Sequence, residues 1–255
     1  MHDEMPTVKM PILSLFNPDT GSRVTLVGMA HAAQPAYYAE IGRRIEVIEE
    51  GGAAIHYELV TDTPAQIEAA APAVRDGAKL IHRSLEAELL ECLGAGLVLQ
   101  RDQLPPRASW QRHDVGLIEV AQFYGAPVLR EREQAEQHEQ HFERKFTPMV
   151  KRAFVLQAMA ALAGVFTGEV PREAVFVGAD RYLAIHREGL ALAAVDLHLA
   201  LHPGSDLALL WGAAHLPGFT AGLDKRGYKV ESEEWVVAID PSTLPDTDTD
   251  TAPVE

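Results

Sequence analysis

The sequence predicts an α/β domain whose mixed, largely parallel central sheet is flanked by helices. Short apolar runs rich in β-branched residues alternate with longer stretches of helical periodicity along most of the chain. Two of those runs, "VTLVGMAH" (24–31) and "LALLWGAAH" (207–215), end in the same Gly-x-x-His pattern. With 255 residues, 47% of them hydrophobic, the chain suffices for one large core or at most two.

The elements follow in order. "RVTLVG" is a strand bounded by "DTG" and Gly28. "PAYYAEIGRRIEVIEEGG" opens on proline and closes on glycine, with Tyr38, Ile41, Ile45 and Ile48 at helical spacing. "AAIHYELV" is a second strand, and "TDTP" is a turn and helix cap. "AKLIHRSLEAELLECLGAG" is an amphipathic helix, whereas Pro105 and Pro106 make "QRDQLPPRASWQRHD" irregular. A short strand, "APVLR", leads into a long charged helix from Glu131 to about Gly164, interrupted near Pro148. "EAVFVG" reads as another strand before the helix "DRYLAIHREGLALAAVDLHLAL". "DLALLWG" and "KVESEEWVVAI" complete the sheet, with antiparallel strands expected at its C-terminal end.

This reading makes 1–240 a single domain, with 131–164 as a helical insertion or lid. The acidic, proline- and threonine-rich tail 241–255 has the composition of a disordered segment. The net charge of −15, from 22 basic and 37 acidic residues, argues against nucleic acid as a partner. One cysteine, Cys92, excludes an internal disulfide and fits a reducing compartment. The N-terminus lacks the pattern of a secretory signal, and "AFVLQAMAALAGVF" (153–166) is short for a membrane span. A cytoplasmic protein without membrane partners is expected.

In an open α/β sheet, ligands sit beyond the carboxyl ends of the strands, where His31 and His215 fall. The preceding glycines permit a sharp turn there. Two imidazoles at one edge could hold a divalent metal or share acid–base work; alternatively, they are unrelated loop residues. Glu58, near the end of "AAIHYELV", either completes a two-His-one-carboxylate set or pairs with an arginine. His56, on the same face two residues earlier, reads as a satisfied core histidine. Asp180 is a candidate site residue or a helix cap, and Arg181 a candidate for holding a carboxylate or oxyanion. His198 and His202 are four apart and could grip a metal, but their place near a helix C-terminus favours a structural role. His186 reads as structural, Cys92 as packing, and His138 and His141 as part of a solvated face.

Five segments in this order, "LVGMAHAAQPAYY", "HYELV", "LVLQRDQLPPRASWQRHD", "VFVGADRYLAIH" and "LLWGAAHLPGFTAGLDKRGY", resemble the TraB/PrgY/GumN family, which includes the TIKI membrane-associated metalloproteases. That resemblance implies a fold like the erythromycin esterase and ChaN-like proteins. It implies that His31, His215 and Glu58 are the metal-ligand positions, with Asp180 and Glu58 in catalysis. It further places Gln100 and Asp114 as substrate-binding positions flanking the irregular segment. Ala179 stands where the family usually has arginine, and Arg181 is the candidate to supply the missing charge. The expected function is a metal-dependent hydrolase of the peptidase or amidase type, using Mn, Co or Zn on a peptide or small-molecule substrate. The alternatives are a metal-free esterase-like hydrolase with a histidine base and a protein that sequesters a peptide or small ligand.

Overall fold

The computed structural model of the chain describes residues 7–143 and 147–244. Its first element has no counterpart in the sequence reading. β1 (Val8–Asn17) turns through Gly21, at φ 69°, into β2 (Ser22–Met29), and the two pair antiparallel. Pro11 hides β1 in the sequence, because proline withholds a donor from an inner strand. The structure accommodates it where the ladder to β2 has ended, since pairing starts at Ile12 opposite Val27.

Beyond His31 come β3 (Ala32–Ala33) and α1 (Pro35–Glu50), which buries Tyr37, Tyr38, Ile41 and Ile45 on one stripe. β4 (Ala54–Tyr57) leads to α2 (Pro64–Ala69), whose N-terminus is closed by a reciprocal capping box between Thr63 and Gln66. α3 (Pro72–Gly94) is the expected amphipathic helix. The irregular segment that follows resolves into β5 (Val98–Leu99), paired with β3, then α4 (Gln100–Gln103) and the short strand β6 (Gln111–Arg112).

Two expected strands are not strands. "APVLR" lies within α5 (Leu117–Glu143), which is kinked at Gly125, φ 66°. Pro127 stands just past that kink, at the start of the renewed helix, where its missing N–H is harmless. Leu129 packs into the cluster with Ala78, Ala121 and Leu183 instead of joining a sheet. After α6 (Pro148–Thr167), capped by Thr147, "EAVFVG" forms only the single turn α7 (Arg172–Val175) and an irregular exit through Gly178. An apolar run of six residues does not distinguish a strand from a packed turn by periodicity alone.

α8 (Ala179–Leu201) then carries the chain back to β7 (Leu207–Gly212), followed by α9 (Leu216–Asp224) and β8 (Lys229–Ile239). The sheet runs β6-β4-β7-β2-β1-β8. β6, β4, β7 and β2 are parallel, and β1 is antiparallel to both of its neighbours. The antiparallel strand therefore comes from the N-terminus, and the C-terminal β8 reaches the sheet only through β1. β8 shows solvent Glu231, Glu233 and Glu234, charges that blunt an edge.

Both faces of the sheet are covered. On one, α1 and α6 pack with Met10, Val27, Leu210 and Ala238; on the other, α8 and α9 pack with Leu13, Leu26, Leu209 and Trp211. α6 is longer than its apolar run suggested. Met149–Thr167 is long and apolar enough to cross a membrane by length and composition, and Val155, Leu156, Met159 and Ala163 insert into the core. The residues 241–243, assigned to the tail, form a 3-10 turn capped by Asp240, with Leu244 buried behind it. The remainder of the expected acidic tail, 245–255, and the side chains of His138 and His141 lie outside the described residues.

Candidate active site at the strand ends

β2 and β7 are adjacent, parallel and in register, with Gly28 opposite Trp211 and Met29 opposite Gly212. Their Gly-x-x-His extensions consequently leave the sheet side by side. The two glycines serve different ends, and neither makes a sharp turn. Gly28 is still within the strand, and a β-carbon there would lie 2.9 Å from the Pro11 carbonyl oxygen and 3.3 Å from Leu216. Gly212 faces the site itself: a β-carbon on it would lie 3.1 Å from Glu58 Oε2, 3.7 Å from His31 Nε2 and 3.8 Å from His215 Cδ2. His31, Glu58 and His215 thus surround one point over the rim of the sheet.

Each imidazole is oriented from behind. His215 Nδ1 is 2.8 Å from Glu188 Oε1. A carboxylate only accepts, so Nδ1 carries a proton, and Nε2 lies 3.8 Å from Glu58 Oε1. His31 Nδ1 is 3.2 Å from Gln100 Oε1, which leaves Nε2 on the Gly212 side. The Gln100 backbone N–H also donates to the His31 carbonyl at 2.9 Å, so α4 is anchored to this loop twice. Phe176, from the segment expected to be a strand, lays its ring 5.0 Å from that of His215.

Glu58 is buried and fully engaged. Arg187 Nη2 donates to Oε1 at 2.5 Å, and the Gly212 N–H donates to Oε2. Burial, the largest single influence, pushes its carboxyl up. Arg187, then His215, His31 and the Gly212 N–H, together outweigh that and hold it down at about 2. Arg187 spans onward to Asp114, donating from Nε and Nη2 to its two oxygens, both at 2.8 Å. Arg172 forms an ion pair with Glu188. Among the described residues, three carboxylates (Glu58, Asp114 and Glu188) meet two guanidiniums, leaving one negative charge beside the imidazoles.

This donor set fits a divalent cation in its chemistry. Two imidazoles and a carboxylate are ligand types that such an ion takes, and each imidazole has the hydrogen-bonded support usual for a ligating histidine. Among the described residues, no three His, Cys, Asp or Glu groups already stand close enough together to chelate one.

The other sequence candidates fall elsewhere. Asp114 belongs to the site as the second acceptor for Arg187. Asp180 does not cap α8, whose N-cap is Gly178; its carboxylate accepts from Tyr124 and Arg132. Arg181 is half-exposed and pairs with Glu173 at 3.5 Å, so the guanidiniums among the site carboxylates are those of Arg187 and Arg172. His186 pairs with Glu119 and stacks on Phe123. His56 is not satisfied: it is 1% exposed and neither ring nitrogen has a partner.

Sequence reasoning missed Arg187, Glu188 and Arg172. A signal for Glu188 was present, since it shares the buried stripe of α8 with Ala184, Ala191, Leu192 and Val195. A carboxylate on such a stripe needs a partner. Comparison with family models, curated proteins and solved structures finds no match for this chain.

Proposed function

We propose that the chain is a metal-dependent hydrolase of the peptidase or amidase type, related to the TraB/PrgY/GumN proteins and acting in the cytoplasm on a peptide or small-molecule substrate. One observation carries the reading: His31 and His215 are held by Gln100 and Glu188 through Nδ1, so that both Nε2 atoms face the ionised Glu58. His31, His215 and Glu58 would hold the ion, with Mn, Co or Zn as candidates. A divalent ion there supplies Lewis-acid polarisation of a carbonyl and acidification of water.

The chain's own groups do the rest. Arg187 keeps Glu58 anionic, and Asp114 keeps Arg187 aimed. Glu188 fixes the His215 tautomer, and Arg172 holds Glu188 in place. The exposed His31 faces incoming substrate.

A metal-free hydrolysis with His31 as general base is the second reading, favoured by the fact that both Glu58 oxygens already accept hydrogen bonds. Purified protein should bind Co2+ or Mn2+ at one site dependent on His31. A panel of peptides and amides followed by mass spectrometry should show cleavage that stops with chelator and returns with metal. Cleavage that survives chelation but not His31→Ala overturns the metal reading, and retention of a peptide without cleavage overturns hydrolysis altogether.

A further inference from the structure

A second group of imidazoles lies on the same face of the sheet, about three turns further along α8. His56 projects from β4, His113 follows β6, and His198 and His202 stand on successive turns at the end of α8. Ring centroids are 4.1 Å apart for His56–His113, 5.4 Å for His56–His198 and 4.8 Å for His198–His202. Two imidazoles sharing one ion through metal–nitrogen bonds of about 2.0 Å hold their centroids roughly 4.5–5.2 Å apart. Of these three spacings only His198–His202 falls in that range, and among the described residues no three such groups already stand close enough to chelate an ion, so binding one requires the rings to turn.

His56 is the independent indication of a ligand. It is buried to 1%, packed between His113 and His198, and neither of its nitrogens is hydrogen-bonded. An unpaired ring nitrogen at that depth is costly, and bonding to an ion removes the cost. Beside the cluster lies a cavity of about 410 Å3 lined by His198, His202, Trp110 and Ser205, and the Ser205 hydroxyl is a second buried group without a partner. His113 Nε2 is 3.3 Å from the Gln111 amide oxygen, so Nδ1 is the lone-pair nitrogen of that ring.

We infer that His56, His113, His198 and His202 form a binding site for a borderline divalent transition-metal ion such as Zn2+, separate from the strand-end site. Imidazole-rich sets select such ions over Mg2+ or Ca2+, and His198 in the last turn of α8 and His202 at its C-cap hold their rings 4.8 Å apart, close enough to present two nitrogens to one point. His198 is half-buried and His202 exposed, so both rings can rotate to close on an ion reached through the cavity.

Equilibrium dialysis of the full chain against Zn2+ with elemental analysis tests it, using His31→Ala to disable the strand-end site. The H31A protein should retain one Zn2+ per chain. Adding His198→Ala and His202→Ala should weaken that binding at least 100-fold, and His113→Gln alone about tenfold. The H198A/H202A substitutions sit at the accessible end of α8, and an unchanged circular dichroism spectrum confirms that the comparison is between folded proteins. Equal Zn2+ stoichiometry and affinity with and without His198 and His202, or no Zn2+ bound by H31A, overturns the inference.

Discussion

Replacing Arg187 by methionine removes the one guanidinium among the described residues that touches both Glu58 and Asp114, while nearly preserving volume. The Arg187 side chain is 11% exposed, Glu58 8% and Asp114 0%, so water does little to screen the loss. Holding Glu58 at about 2 rather than its ordinary 4.5 corresponds to roughly 3 kcal/mol of stability. That agrees with the ~3–5 kcal/mol typical of breaking a buried pair from one side. The sign with pH follows. A depressed carboxylate contributes in full above its unfolded value and loses the contribution as pH falls toward 2. In R187M, burial acts on Glu58 unopposed by the guanidinium, so the carboxyl takes up a proton at higher pH and its penalty is relieved on acidification. Urea denaturation followed by circular dichroism should therefore show R187M about 3 kcal/mol less stable at pH 7, with the gap narrowing by pH 4. At about 2–4 °C per kcal/mol for a chain of this size, the melting temperature should fall by roughly 6–12 °C. A gap under about 1 kcal/mol at pH 7, or one that does not change with pH, refutes the assignment of Arg187 as the clamp that keeps Glu58 ionised.

Three further outcomes are expected. Gly212→Ala would place a β-carbon 3.1 Å from Glu58 Oε2 in the centre of the strand-end site, so Co2+ titration should show affinity reduced at least about tenfold while the melting temperature stays close to wild type. Gly28→Ala presses instead on the Pro11 backbone at 2.9 Å; it should cost about 1–3 kcal/mol in thermal unfolding, with little effect on ion affinity once folded. Glu188→Gln weakens the acceptor behind His215 and leaves Arg172 without its counter-ion, and should reduce Co2+ affinity about 10–100-fold in the same titration.

Local chemistry in the chain was enough to read β2, β4, β7, β8 and the helices α1, α3 and α8, because each has a clean hydrophobic period bounded by glycine, proline or a cap. The same logic put His31, His215 and Glu58 at strand ends, and in-register parallel neighbours then bring them together. For three of the elements that were not legible the reason is identifiable. Pro11 argues against an inner strand unless the ladder is known to start at Ile12. "APVLR" and "EAVFVG" are apolar runs whose partners, a helical cluster with Ala78 and Leu183 in one case and the His215 ring in the other, lie far away in sequence. The same limit applies to the site. The sequence shows that Glu58 is a charge on an apolar strand needing compensation, but Arg187, Asp114 and Gly212 become its neighbours only when α8 crosses the carboxyl end of the sheet. Residue type and spacing determine which face a side chain takes within its own element. Which charge answers it is a long-range electrostatic choice, made by the packing of one element against another.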